Sequence, residues 1–440
     1  MAERAEPTPI TNRRVLKVAG PIVLSNATVP ILGLVDTGVV GQMGEAAPIA
    51  AVGVGAAMIT AIYWIFGFLR MGTTGLVGQA IGAENRDEVS LLLTRALLIG
   101  AAAGIALIVL QWPLFAGAMA LSPSTPQVEA LARDYMTIRI WSAPAAISLY
   151  GLTGWLIAQE RTRAVLVIQL WMNGFNIALS VLFVLGLGWG VPGVAAATFV
   201  AEWTGLALAL WLARDAFARP VWRDRTRILE PDKLKRMAIV NTDIMIRSVL
   251  LQAIFLSFML LGGYFGEVPQ AANQILVQFL FVTAYAMDGF AFAAEAIVAQ
   301  AMGAKRPRAV RRGSLLTSFW GLAICTLLAI LFWAAGPAII DRLTTAPEVQ
   351  QAARAYLPWM IAAPILGVAA WMLDGIFIGA TRSRDMRNMM ILSALVYAVA
   401  LWPLMQAFAN HGLWIALLLS FVVRGLTLGA RYPALERAAA

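Results

Sequence analysis

Apolar runs long enough to cross a hydrocarbon core of roughly 30 Å as a helix, about 20 residues each, recur along almost the whole chain. Twelve are predicted, near residues 15 to 40, 47 to 69, 89 to 118, 134 to 158, 164 to 188, 191 to 213, 238 to 264, 271 to 301, 313 to 340, 353 to 380, 388 to 408 and 412 to 432. Alternating segments of about ten residues, the mark of a membrane β-barrel, do not recur. The first run follows Arg13, Arg14 and Lys17 but is too long for a signal-peptide core and ends in no small-x-small cleavage pattern. It therefore reads as a retained helix.

Composition agrees with this reading. Hydrophobic residues make up 60% of the 440 and charged ones 13%, against roughly 45–50% and 25% in soluble domains. The net charge of +9 follows from where the basic residues lie, so nucleic acid is not needed to explain it. They gather at the N-terminus (Arg13, Arg14) and in the even-numbered loops: Arg86; Arg161 and Arg163; Arg223 to Arg236; Lys305 to Arg312; Arg382 to Arg387. By the positive-inside rule this puts both termini and those loops in the cytoplasm and supports an even number of crossings.

An internal repeat divides the chain. LVGQAIGAEN from Leu76 and IVAQAMGAKR from Ile297 align Gln79 with Gln300, an offset of 221 residues. The same offset pairs Pro48 with Pro269, Pro126 with Pro347, Arg133 with Arg354, Tyr135 with Tyr356, Gly154 with Gly375, Arg161 with Arg382 and Arg163 with Arg384. Polar and special residues matching at one unbroken offset argue for duplication. The expected fold is all-α, with twelve transmembrane helices in two six-helix lobes related by a pseudo-twofold along the membrane normal. The expected segments are a tail over 1–14, lobes over 15–213 and 238–432, a charged linker over 214–237 containing Pro220 and Pro231, and a tail over 433–440.

Charges inside apolar helices are expensive and mark functional candidates. Asp36, deep in the first helix, could exchange a proton near physiological pH or bind a cation, since burial favours the neutral form and a cation the ionised one. Otherwise it only hydrogen-bonds neighbouring helices. Pro21 and Pro30 either make the same helix a bending element or are ordinary transmembrane prolines. Asn173, Asn176 and Ser180 in the fifth helix, with Thr198 and Glu202 in the sixth, either complete an oxygen-rich site with Asp36 or act as interhelical glue. In the second half, Asp243 and Arg247 stand one helical turn apart and read as a structural ion pair. Asp288, Glu295 and Asp374 are coupling or structural charges, and Arg424 in the twelfth helix needs an acidic partner. The eighteen methionines and nineteen phenylalanines either line an adaptable pocket or pack ordinarily. One cysteine, Cys325, precludes an intramolecular disulfide, and with the single His411 it excludes a His/Cys metal cluster and leaves few means for an enzyme.

These segments together resemble the multidrug and toxic compound extrusion (MATE) transporters, specifically the DinF-like branch. The likeness covers nearly the whole chain and rests on LVDTGVVGQMG around Asp36, LVGQAIGA and its repeat, NTDIMIRSVLLQ from Asn241, TAYAMDGFAFAAEAIVAQAMGA from Thr283 and LDGIFIGATRSRDMRNMM from Leu373. The resemblance implies a monomeric inner-membrane antiporter, not an enzyme and without a cofactor, that exports lipophilic, often cationic drugs or metabolites by alternating access. The coupling ion would be a proton or sodium. It implies that Asp36 is the protonation site, that its helix bends at Pro21, and that Asn176 and Thr198 belong to the first-lobe polar network. The family's aspartate four residues after the asparagine is here Ser180. With one carboxylate fewer and no charge from the hydroxyl, the reading leans to protons. Two alternatives stay open: a flippase or exporter of a lipid-linked or amphiphilic metabolite, and sodium-coupled drug export.

Overall fold

The computed structural model describes residues 9–121 and 125–440, with the side chains of Leu34, Asp36, Thr37 and Leu121 outside that description. Among the described residues there is no strand, and twelve helices are long and apolar enough to cross a membrane. They are α1 (Asn12–Gly41), α2 (Ala46–Gly82), α3 (Arg86–Val109), α4 (Pro126–Ala158), α5 (Thr162–Gly186), α6 (Gly190–Leu212), α7 (Arg225–Phe265), α8 (Glu267–Gly303), α9 (Pro307–Leu343), α10 (Pro347–Gly379), α11 (Ser383–Phe408) and α12 (Asn410–Arg437).

Each predicted run overlaps one of these helices, the third (89 to 118) running on past α3 into a separate short helix, and several helices are longer than the run. A helix of 37 residues, such as α2, α8 or α9, is about 55 Å long at 1.5 Å per residue. It overshoots the hydrocarbon core, so its polar end is invisible to an apolar-run criterion. Gln79 lies in such an end, ten residues beyond the predicted run of α2.

At three of the helix interruptions a proline follows. Proline lacks the N–H that would bond residue i−4 and its ring clashes with that carbonyl. In α1 the first segment, Asn12–Asn26, stops four residues before Pro30, and a second, Val29–Gly41, follows. In α3 the helix ends at Val109, four residues before Pro113, and a separate short helix runs over Gln111–Leu121. In α4 a 3₁₀ turn over Ile140–Ser142 precedes Pro144. Pro21, by contrast, lies inside the unbroken first segment of α1.

The duplication is written in the backbone. Left-handed residues end helices in pairs 221 apart: Glu84 and Lys305 (φ 57° and 52°), Glu160 and Thr381 (58° and 52°), Gly188 and Ala409 (70° and 51°). Outside glycine this conformation costs about 1–2 kcal/mol, so its recurrence reflects shared geometry. The bonds that close the turns match as well. Arg161 N donates to the Leu156 carbonyl at 2.9 Å and Arg382 N to the Phe377 carbonyl at 3.0 Å, the 6→1 bond of a helix-ending Schellman turn.

The chain forms two compact units. One holds Ile246–Ala440 with the described residues up to Val23 and the segment Gly78–Glu84; the other holds Leu24–Val77 and Asn85–Met245. Three of the unit boundaries thus fall inside the long helices α1, α2 and α7, and the fourth in the turn between α2 and α3.

In the first unit α8, α9, α10 and α12 enclose a core in which Phe258 and Trp414 meet edge-to-face at 4.7 Å. The Trp414 indole donates to Asn273 Oδ1 at 2.9 Å, and Asn273 and Asn410 exchange amide bonds at 2.8 and 3.0 Å. Three buried polar side chains thereby satisfy one another, as an apolar surround requires. In the second unit α3 packs on α4, α2 on α4, and α5 on α6, and Trp155, Leu152, Ile147 and Met136 of α4 are buried.

Candidate functional site

The second segment of α1, Val29–Gly41, carries Asp36 and packs against α2, α5 and α6. The side chain of Asp36 lies outside the described residues. The neighbouring helices α5 and α6 carry a set of amides and hydroxyls, of which Asn173 reaches α1 at Thr28. Asn173, Asn176 and Ser180 follow one another at spacings of three and four, which aligns them on one face of α5. All three are buried.

Two hydrogen-bond chains leave that face. In the first, Asn176 Nδ2 donates to Thr198 Oγ1 of α6 at 2.8 Å, Thr198 Oγ1 donates to the Val194 carbonyl at 3.1 Å, and Ser180 Oγ donates to Asn176 Oδ1 at 3.1 Å. Asn176, Ser180 and Thr198 thus form one connected group. In the second, Gln169 Nε2 donates to Asn173 Oδ1 at 3.0 Å and Asn173 Nδ2 donates to Thr28 Oγ1 at 2.7 Å, while Thr28 Oγ1 donates to the Ser25 carbonyl at 2.7 Å. Thr28 stands in the break of α1, so α5 is bonded directly to the point where α1 is interrupted.

Ser180 is also the last α-helical residue of α5; Val181–Gly186 continue as a π-helical stretch. Such a widening shifts side-chain register and is common at functional sites.

Glu202, one turn beyond Thr198, does not join this group through any described bond. It meets Arg139 of α4 in a two-pronged ion pair, with Arg139 Nη1 at 2.7 Å and Nη2 at 3.0 Å from its two oxygens. Arg139 Nη1 also donates to Ser142 Oγ at 2.7 Å, and the Tyr63 hydroxyl donates to the Arg139 carbonyl at 2.8 Å. Sequence reasoning passed over Arg139; a lone arginine just inside the fourth apolar run was the available signal.

In the other unit Arg247 of α7 forms its described ion pair with Asp374 of α10, 127 residues away. Arg424 of α12 approaches the same carboxylate oxygen, Nε to Oδ2 3.7 Å. Two guanidinium groups therefore share one carboxylate among fully packed helices, and Arg424 Nη1 otherwise faces the Met390 sulfur at 3.8 Å. Asp243 and Glu295 are buried and Asp288 is half-buried, the last two on α8. Among the described residues no group of three or more His, Cys, Asp or Glu side chains is placed to hold a metal ion.

Twelve membrane-length helices among the described residues and a duplicated backbone define a multi-pass membrane protein. Its family follows from comparison. The MatE family matches residues 21–182 and again 244–404, once in each repeat, and the chain belongs to that family. It is 37% identical over 420 residues, 94% of this chain and 90% of the other, to DNA damage-inducible protein F of Escherichia coli (strain K12). It is 27% identical to the probable multidrug resistance protein NorM of Bradyrhizobium diazoefficiens, over 96% of this chain and 93% of that one. Among solved structures, the Vibrio cholerae MATE transporter VcmN in its bent form superposes with a TM-score of 0.85 at 20% identity, covering 97% of both chains. A MATE in complex with MaD3S superposes with a TM-score of 0.87 at 18% identity, again over 97% of both. At those identities the likeness is one of fold.

Proposed function

We propose that this protein is a secondary active antiporter of the inner membrane, with both termini cytoplasmic, that exports lipophilic cationic compounds in exchange for protons by alternating access between two six-helix lobes. Asp36 is the coupling residue in this reading, holding a proton in one state and releasing it as substrate binds. The observation that carries the proposal is the hydrogen-bonded group of buried Asn176 and Ser180 with half-buried Thr198, on the two helices against which the Asp36 segment packs. Amides and hydroxyls can hydrogen-bond either form of a carboxyl group. They supply no second negative charge for a sodium ion, which favours a proton.

The second unit supports the same assignment. With two arginines on its carboxylate, Asp374 is already neutralised and has little to offer a cation. The names of the relatives, multidrug resistance proteins among them, support drug-like cargo.

The test is ethidium transport into proteoliposomes under an imposed pH gradient, with and without sodium, for the parent and for Asp36→Asn. Uptake driven by the pH gradient alone and lost in the variant is the expected result. A sodium requirement, or a variant that transports like the parent, would move coupling elsewhere.

A further inference from the structure

The charged segment after α6, which runs into the first turn of α7, is not a loose tether. It folds into a 3₁₀ turn at Arg214–Phe217, another at Pro220–Arg223 and a helical turn at Arg225–Ile228. Val221 and Ile228 bury against Leu91 of α3. The fully buried Arg95 of α3 staples the linker down, its Nε donating to the Ile228 carbonyl at 2.9 Å and its Nη2 to the Arg227 carbonyl at 2.7 Å.

This fixed segment forms the wall of a cavity of about 590 Å³ lined by Asp87, Arg219, Pro220, Val221, Arg223, Asp224 and Arg227. Both acids there are already engaged. Asp87 accepts from Arg219 Nη1 at 3.0 Å and Arg227 Nη1 at 3.1 Å, and Asp224 caps the turn by accepting from Thr226 N and Arg227 N. Arg223 is exposed, has no ion pair among the described residues, and lies over the Trp222 ring at 4.7 Å. Three arginines against two carboxylates leave the cavity with a net charge of +1.

Its position defines the ligand. The linker joins the ends of two membrane helices, and large apolar side chains flank it: Trp211 is 58% and Leu229 60% exposed. Tryptophan and arginine side by side are what the headgroup layer of a bilayer selects. Arg214 over the Trp211 ring at 4.5 Å repeats the pairing.

We infer that this cavity binds the phosphodiester headgroup of an anionic membrane lipid, with Arg219, Arg223 and Arg227 as donors and Trp211 and Leu229 against the glycerol and acyl region. A phosphodiester carries one negative charge, which balances the cavity, and guanidinium groups bond phosphate oxygens in a planar fork. Free phosphate shares that chemistry but would leave the apolar flank unused.

The experiment is binding of dioctanoyl-phosphatidylglycerol, dioctanoyl-phosphatidylcholine and inorganic phosphate to the detergent-purified full chain, read by native mass spectrometry and melting temperature. Phosphatidylglycerol is expected to bind ahead of the other two. Arg223→Gln, which breaks no ion pair, should weaken it about fivefold, the contribution of one basic residue at an anionic surface, with the ligand-free melting temperature unchanged. Arg223→Lys should recover part of the loss, and Arg308→Gln, in the other unit, should bind like the parent. Equal binding of the zwitterionic lipid, an unaffected Arg223→Gln, or an equal loss in Arg308→Gln would overturn the site. Inorganic phosphate binding as tightly as phosphatidylglycerol would overturn the lipid and leave a soluble-anion site.

Discussion

Gly82 lies against the backbone carbonyl of Gln300, so close that a Cβ added at position 82 would stand 2.0 Å from that oxygen. The reciprocal contact exists: a Cβ on Gly303 would stand 2.0 Å from the carbonyl of Gln79. Positions 82 and 303, and 79 and 300, are repeat mates, so one contact is built twice. Neither neighbour can yield, because both are helix backbone. Gly82→Ala and Gly303→Ala are each expected to cost at least the roughly 1–3 kcal/mol of an overpacked core. Gly117→Ala, which meets nothing within 4 Å, should be neutral. Melting of the detergent-solubilised variants, followed by size-exclusion chromatography, checks all three.

The break in α1 should be removable. Pro30→Ala restores an N–H that can bond the Asn26 carbonyl, and residues 27 to 30 should then exchange their amide hydrogens more slowly. Thr28→Val removes the acceptor of Asn173 and should cost about 1 kcal/mol, with faster exchange over the same residues. Hydrogen–deuterium exchange on the two variants reads both effects; unchanged protection in Pro30→Ala would mean that tertiary packing, not proline, opens the helix.

Asp374→Asn leaves Arg247 and Arg424 buried without their counter-ion. Breaking a buried pair from one side typically costs about 3–5 kcal/mol, so this variant is expected to melt well below the parent. Removing one arginine as well, in Asp374→Asn with Arg247→Gln, lowers the uncompensated charge and should restore part of the loss. A double variant no more stable than the single one would argue against shared neutralisation.

Ser180→Asp places a carboxylate beside Asn176. If proton coupling reflects the missing charge, this variant should bind sodium where the parent does not. The expected sign is a sodium-dependent rise in melting temperature of roughly 2–4 °C, the shift about 1 kcal/mol of ligand stabilisation gives in a unit near 200 residues. The parent should show no such rise, and lithium and potassium titrations would report selectivity.

Much of this protein was determined by its sequence alone. Runs of apolar residues can satisfy their backbone in lipid only as helices, so the twelve crossings were readable without coordinates. The offset of 221 between Gln79 and Gln300 was equally visible, and the family resemblance it accompanied is confirmed by the MatE match in both halves. The grouping of Asn176 with Ser180 was implicit in their spacing of four along a helix. Tertiary structure decided the rest. Arg247 stands one turn from Asp243, yet its described ion pair is with Asp374, because the direction of a helical side chain and the helix packed opposite it choose the partner. Arg139 with Glu202, Arg95 with the linker carbonyls and Asn173 with the break at Thr28 are likewise pairings across helices distant in sequence. Spacing along a chain reports only neighbours on one helix face; which faces meet is settled when the helices pack.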